Sequence, residues 1–364
     1  MDADIIIVGA GIVGLAHALA ARRAGLSVLV VDRDAQANGA SIRNFGFVTV
    51  TGQGFPHTHR RAMRSRAIWA EVAALAKIAV HHRGLLMACR RPEAVAVAEA
   101  FCAGPMGTGC KMVAAADLPP MLSPGVLAAL HSSHELRVES RDAIPRLAAW
   151  LEATQEVRFT RRTAVRGVAP GIVETTAGTL RAEKIIVCPG TDIATLFPEV
   201  FARRDTTLCK LHMLRLADPG WRLPAAVMSD LGMARYLGYA HETPLGPLLD
   251  RLAAEQRDAL DHGVHLIVVQ GADGSLVVGD SHHYAATPDP FQPGFVDEII
   301  LDEFRAVFGA APPVVERWTG IYPSGPEDMF TEDLGPGLRL VSVTSGTGAS
   351  TAFGIAEETL ESFA

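Results

Sequence analysis

The sequence predicts an α/β protein in two parts, one a doubly wound and mainly parallel sheet, the other a second domain built on antiparallel sheet. Three observations predict it. Residues 4–34 hold a β-branched run, a glycine-rich turn, an Ala-rich helical pattern and a second apolar run closed by an acid. Lys184 to Cys188 is another buried apolar run that ends in Pro189-Gly190, as a doubly wound sheet offers its carboxyl edge to a ligand. Residues 205–290 then change to short strand-like runs separated by turns, the mark of antiparallel pairing.

Ile5 to Val8 is long enough for a buried strand and too short for a buried helix. It leads into Gly9-Ala10-Gly11-Ile12-Val13-Gly14, then a helix to Gly25, then Val28 to Val31 and Asp32. This is a dinucleotide-binding fingerprint in its required context. Gly9 permits the tight turn, Gly11 lets backbone approach a pyrophosphate, and Gly14 lets the helix lie close on the strand. Asp32 suits both hydroxyls of an adenosine ribose. A signal peptide or membrane span is a poor reading of residues 5–20, because Asp4 precedes the run, no basic segment does, and three glycines and His17 interrupt it. A cytoplasmic protein is expected.

Asn38 to Phe47 reads as a loop lying on the cofactor, with Ser41, Arg43 and Asn44 polar and Gly39 and Gly46 permitting close approach. Residues 58–80 have helical spacing. His82 to Arg91 reads as a strand and Pro92 to Ala103 as a helix, whereas Gly104 to Ser140 is irregular. Asp142 to Ala153 is a helix, followed by short strands at Val157 to Phe159, Ala164 to Val168 and Ile172 to Thr175. The antiparallel block is predicted from Leu208 to Leu216, Ala234 to Ala240, His265 to Gln270 and Ser275 to Gly279, with a hairpin at Ala272-Asp273-Gly274. Leu248 to His262 and Phe295 to Phe308 are helices, and Leu338 to Val343 is the last strand. The first domain is therefore expected to be discontinuous (1–45, 140–205 and 325–364), and 46–139 with 206–324 to form the second.

The 364 residues carry 33 Lys and Arg against 40 Asp and Glu, a net charge of −7, which argues against nucleic acid as a partner. Five cysteines without a CxxC motif indicate neither a disulfide framework nor a thiolate metal site. His57-x-His59, His81-His82 and His282-His283 lack a companion carboxylate or thiolate at ligand spacing, so no metal is expected. FAD is favoured over NAD, because a second loop, Thr344-Ser345-Gly346-Thr347-Gly348-Ala349-Ser350, opens the last helix. Its N–H groups suit the edge of a flavin where negative charge builds on reduction.

Over essentially its whole length the chain resembles the D-amino-acid oxidase–like FAD-dependent oxidoreductases, the group containing glycine oxidase and monomeric sarcosine oxidase. The resemblance rests on Gly9 to Gly14, Val30-Val31-Asp32-Arg33, Cys188-Pro189-Gly190 and Trp318-Thr319-Gly320-Ile321-Tyr322-Pro323. Pro189 stands where the family usually has Ala. Ala40 to Gly46, Val278 to Tyr284 with Pro288 to Phe291, and Glu316-Arg317-Trp318 look like the subfamily associated with aminophosphonate catabolism. The resemblance implies a Rossmann-type FAD-binding domain (GR2/DAO-like). It also implies oxidation of a small amine bearing an anionic group, a relative of 2-aminoethylphosphonate, to an imine that hydrolyses. O2 or another acceptor would take the electrons, and the chain would act as monomer or homodimer. The runner-up is a small amino acid or N-methyl amino acid, and a flavin-binding protein without turnover shares the fold.

The implied cofactor set is Gly9, Ala10, Gly11, Ile12, Val13, Gly14, Asp32, Arg33, Ser41, Arg43, Asn44, Phe45, Gly46, Phe47, Val165, Pro189, Gly190 and Ser345 through Thr351. Such chemistry calls for aromatic walls and a few polar anchors. Arg235 and Arg43 lead as anchors for the anion, by their planar fork, with Lys210 behind them. Arg235 and Tyr239 would share one face of a strand and Tyr236 the other. His282, Tyr236 and Lys210 are the candidate catalytic groups. Tyr239, Tyr284 and Trp318 join the substrate set, Trp318 as packing at the domain seam.

Overall fold

The protein is described over residues 1–363 by a computed structural model. The apolar runs of the fingerprint form β1 (Ala3–Val8) and β2 (Val28–Val31), joined by α1 (Ile12–Arg23). They lie in a parallel sheet ordered Leu338–Ser345, Gly178–Val187, β1, β2, Arg158–Thr160. Ile5, Ile6 and Ile7 have no solvent exposure, as strands covered on both faces require. Gly178–Val187 also closes a small meander with Ile172–Thr175 and Val165–Ala169.

The second sheet runs Val314–Gly335, Thr207–Leu216, Leu276–Gly279, Ile267–Gln270, Ala226–Ser229, Val80–Cys89, Ala128–Val138, Cys110–Ala114. All pairs are antiparallel except Ala226–Ser229 beside Val80–Cys89. The strand Val314–Gly335 joins the two sheets. Its first half pairs with Thr207–Leu216 and its second with Leu338–Ser345, and Ser324 stands opposite both Thr207 and Ser345.

Two helices fix the start of the last one, Gly348–Glu361. From His57–Leu75, Trp69 Nε1 donates to the Ala349 carbonyl at 2.8 Å, Ser65 Oγ accepts from Gly354 N at 2.9 Å, and the Trp69 ring meets Phe353 edge-on at 5.3 Å. On the other side, α1 packs along it.

Three expectations are corrected. Ala234 to Ala240 is not a strand but the end of a short helix, Leu231–Arg235, followed by a turn at Leu237–Tyr239. The segment docks on another loop, with Gly238 N bonded to Gly52 O at 2.8 Å, and that approach replaces a strand ladder. The Gly- and Pro-rich stretch 104–140 contains two strands, Cys110–Ala114 and Ala128–Val138. The helix expected over Leu248 to His262 breaks at Gln256 into Leu245–Glu255 and Arg257–Asp261. All five cysteines are free thiols, and among the described residues no helix is long and apolar enough to cross a membrane.

Candidate active site

Two cavities meet at the glycine loop. One of about 190 Å³ is lined by Ala10, Asp32, Asp34 and Ala37, with Ile144 and Phe159. The other, of about 430 Å³, runs from Gly11–Gly14 past the 40–47 loop to Arg235, Asp280 and Tyr322. The loop between them is fixed by its own chemistry. Asp32 Oδ2 accepts from Ala10 N at 2.6 Å, and Oδ1 from Asp34 N at 2.8 Å. Gly9 has φ +104°, and a Cβ there would lie 2.3 Å from the Cys188 carbonyl; one on Gly14 would lie 1.9 Å from the Gly9 carbonyl. Strand and helix therefore touch at a distance only glycine permits.

The larger cavity is lined by the starts of two helices, α1 and Gly348–Glu361. The leading N–H groups of a helix lack an intrahelical acceptor, although Ser350 N in the last helix is already bonded to Thr347 O at 2.9 Å, and neither first turn contains an acidic residue to compete with an anion. Ile12 N is bonded to Ser41 Oγ at 2.9 Å, which ties the 40–42 turn over α1. Asn44 pins the same loop: Nδ2 donates to Ala40 O, and Oδ1 accepts from Gly46 N and Ser140 Oγ. Gly346, at φ +72°, accommodates the Tyr322 ring, which would lie 2.9 Å from a Cβ there. A flat, elongated, pyrophosphate-containing group fits this arrangement. The ribose end would meet Asp32, the pyrophosphate the α1 N-terminus, and the ring the start of the last helix.

The far end of the larger cavity is charged. Arg235 donates to Tyr284 Oη at 3.1 Å and Tyr322 Oη at 3.4 Å, and among the described residues no carboxylate lies within 4.0 Å of it. Burial works against its charge, but the phenol oxygens of Tyr322 and Tyr284 and the nearby Asp280 carboxylate outweigh burial and hold the proton on. Tyr236, His265, Asp280 and His282 share this wall. His265 Nδ1 stands 3.3 Å from Asp280 Oδ1, and His282 Nε2 3.8 Å from Asp280 Oδ2. Burial pushes Asp280 up to about 7, with Arg235 and its own backbone pulling it back. Burial and Arg235 drive His265 and His282 well below the usual imidazole range, so both rings are neutral. His282 Nδ1 faces the Gly263 carbonyl at 2.8 Å. It must be the ring's donor, which leaves Nε2 as an acceptor.

Of the residues expected from sequence, Gly11 through Gly14, Ser41, Arg43, Asn44, Phe45, Phe47, Gly190 and Ser345 through Ser350 line the larger cavity, as do Arg235, Tyr236 and His282. Ala10 and Asp32 line the smaller. Tyr284 reaches the site through its bond to Arg235.

Others are corrected. Lys210 is bound to Asp289 Oδ2 at 2.9 Å and the Phe291 carbonyl at 2.8 Å, and lies outside the cavity. Tyr239 is fully buried against Phe101, with ring centroids 4.8 Å apart, because its segment is a turn rather than a strand. Trp318 is corrected only as a member of the substrate set: it lies outside the cavity, donates to the Arg43 carbonyl at 3.1 Å and carries Arg141 and Arg215 over its ring, in the packing place expected of it. Arg33 is paired with Asp192 at 2.9 Å. Val165 lies in the meander, packed on the apolar face that β1 and β2 share with it, and does not line either cavity. Gly46, Pro189 and Thr351 do not line the cavity; Gly46 fits against the Val138 carbonyl and Thr351 bonds back to Thr347.

Asp280, His265 and Tyr322 were not singled out by the sequence reasoning. Asp280 stands two residues before His282, so the view that this His pair lacks a nearby carboxylate is also corrected. The ligand-type atoms of His265, Asp280 and His282 lie within 4.8 Å of one another. The available signal was a carboxylate closing the apolar run Leu276-Val277-Val278-Gly279.

A family model described as FAD dependent oxidoreductase matches residues 4–362. Solved structures similar to the chain include glycine oxidase from Bacillus cereus (TM-score 0.77, 16% identity, 99% of this chain and 94% of that one). L-proline dehydrogenase from P. horikoshii has TM-score 0.78 and 15% identity, over 99% and 92% of the two chains. L-alpha-glycerophosphate oxidase from Mycoplasma pneumoniae with FAD bound has TM-score 0.75 and 16% identity, over 100% and 95%. At these identities the likeness is one of fold. A comparison with curated proteins finds none that matches.

Proposed function

Because the chain belongs to the family of FAD-dependent oxidoreductases, we propose that it oxidises the C–N bond of a small aminophosphonate. The substrate class is 2-aminoethylphosphonate derivatives, hydroxylated or N-methylated, converted to an imine that hydrolyses to the aldehyde. The observation that carries this reading is Arg235, a cation in the cavity wall held by two phenols and, among the described residues, with no carboxylate within 4.0 Å. A guanidinium so placed presents its donors to an incoming anion.

FAD, when bound, supplies the two-electron acceptor. Asp32, Gly11 through Gly14 and Ser345 through Ser350 would hold it. Tyr284 and Tyr322 orient Arg235, which fixes the anionic group and thereby directs the amine along the Tyr236–His282 wall. The apolar side chains of Phe45, Phe47, Leu211 and Ile267 in the same cavity keep the reacting carbon dry.

A planar carboxylate suits the same fork, so a small amino acid or N-methyl amino acid is the second reading, and glycine oxidase is among the similar folds. Anaerobic mixing of the FAD-loaded protein with N-methylated and hydroxylated 2-aminoethylphosphonates, glycine, sarcosine and D-alanine separates the two. Faster bleaching by the phosphonates is expected; equal or better rates on the carboxylates reject the phosphonate reading, and no bleaching by any amine rejects amine oxidation. Arg235→Ala should raise KM for a phosphonate on the order of 100-fold more than for a neutral amine.

A further inference from the structure

We propose that Asp280, set between His265 and His282, accepts the proton of the substrate ammonium and so presents the amine to the cofactor in its neutral form. This rests on the amine reading above. A small amine is an ammonium ion at neutral pH, and its nitrogen has no lone pair to release until that proton is gone. The site must therefore contain a place for it.

The geometry points to one carboxylate. Asp280 follows the strand Leu276–Gly279, and His265 precedes its partner Ile267–Gln270, with Ile267 opposite Gly279. That register brings the two side chains together. Asp280 Oδ1 and His265 Nδ1 are both shut from solvent and, among the described residues, neither makes a hydrogen bond, although they lie 3.3 Å apart. On the other side His282 offers Nε2 as an acceptor toward Asp280 Oδ2. An ammonium entering here would meet a carboxylate and an imidazole lone pair. Its anionic end would meet Arg235. The wall thus carries one negative and one positive group for a substrate that carries one of each.

The surrounding groups leave Asp280 as the one that can exchange a proton near neutrality. Arg235 faces it from the helix Leu231–Arg235, with Tyr236 beyond. Tyr322 comes from the long strand, Cys209 from Thr207–Leu216, and His265 and His282 from either side. Burial pushes Tyr236, Tyr322 and Cys209 upward, Cys209 to about 11, and pushes both histidines down. Only Asp280 is poised close to 7. In the step, the N–H bond of the ammonium breaks, its electron pair stays on nitrogen, and the proton forms an O–H bond on Asp280. The proton returns to water when product leaves. His265 is a positioning residue: its ring, with Nδ1 3.3 Å from Oδ1, bounds the place of the carboxylate on that side. Two imidazoles and a carboxylate could also bind a divalent cation, but the Arg235 charge opposes one.

The test uses Asp280→Asn in the FAD-loaded protein. At pH near 7.5 kcat/KM should fall on the order of 100-fold or more, with FAD content unchanged. The acid limb of its pH profile should move from about 7 in the wild type toward the ordinary amine value of about 10. His265→Asn should shift the limb without abolishing turnover. A second measurement uses 2-amino-2-methylpropylphosphonate, whose amine-bearing carbon has no hydrogen to lose. Calorimetry in buffers of different ionisation enthalpy counts the protons released on binding. Wild type should release about one more than Asp280→Asn near pH 6 and about none more near pH 8. Equal proton counts with an unshifted limb overturn the proton role and leave the substrate reading standing. Stoichiometric divalent metal in the wild-type protein also overturns it. Failure of the wild type both to bind the analogue and to be reduced by any amine overturns both readings together.

Discussion

Asp32 shows how one side chain serves fold and ligand together. Its two oxygens hold Ala10 N and Asp34 N at 2.6 and 2.8 Å, which shapes the glycine loop before any ribose arrives. Hydrogen bonds to a charged acceptor contribute roughly 1.5–3 kcal/mol. Asp32→Ala should therefore weaken FAD binding on the order of 10-fold or more and also lower the melting temperature of the FAD-free protein. Fluorescence titration with FAD and thermal unfolding read the two effects separately. Tyr322 is the residue whose importance the sequence concealed. Within Trp318 to Pro323 nothing sets it apart from its neighbours, but its phenol accepts from Arg235 across 87 residues, and its ring packs on Gly346. Tyr322→Phe should keep the fold and FAD and raise KM for an anionic amine several-fold, on the scale of one hydrogen bond to a charged group; an unchanged KM would remove it as an orienting residue.

Two helix starts build the cofactor cavity, and their glycines do different work. A Cβ on Gly14 would lie 1.9 Å from the Gly9 carbonyl, whereas one on Gly348 meets only Ile12 Cγ2, at an ordinary 3.8 Å. Gly14→Ala must push α1 off its strand, an overpacking cost of about 1–3 kcal/mol, so the FAD-free protein should melt lower. Gly348→Ala should leave the melting temperature equal or higher, since Ala stabilises a helix by up to roughly 1 kcal/mol over Gly, yet weaken FAD by filling the cavity wall. Both glycines belong to patterns visible in the chain, because local backbone needs are written in local residues. Arg235 to Tyr239 was not legible in that way. Its two tyrosines and Leu237 suggest a strand, but Gly238 docking on Gly52 decides its shape, and nothing within the segment specifies that contact. The strands Cys110–Ala114 and Ala128–Val138 were hidden for a different reason: they pair with each other across a segment rich in glycine and proline, and Ala128–Val138 takes Val80–Cys89 on its other side.

Across the whole molecule, the glycine loop and the final helix were readable because each is a short, continuous signal. The charged wall draws single residues from four separate places, Arg235, His265, Asp280 and Tyr322; strand register brings His265 beside Asp280, and the short helix Leu231–Arg235 brings Arg235 to Tyr322. That wall and the nucleotide domain together set how stability depends on pH. Burial holds His17 at about 4, His82 at about 3 and His283 at about 4, with His265 and His282 also far below 6.5. For each, the folded value lies below the unfolded one, so its contribution is present above pH 6.5 and is lost as pH falls toward 4 and 3. His17 alone accounts for about 3 kcal/mol by linkage. Asp280 has the opposite sign: its folded value of about 7 exceeds the unfolded 3.8, so its ionisation penalises the fold at high pH and the penalty disappears as pH falls. In FAD-free protein, denaturant unfolding between pH 8 and 4 should show stability declining through the histidine range, with Asp280 offsetting part of the decline. Asp280→Asn should be more stable than wild type at pH 8 and lose stability more steeply on acidification, the two curves converging near pH 4. Parallel curves would mean that Asp280 does not carry the raised affinity for a proton on which the acid–base role depends.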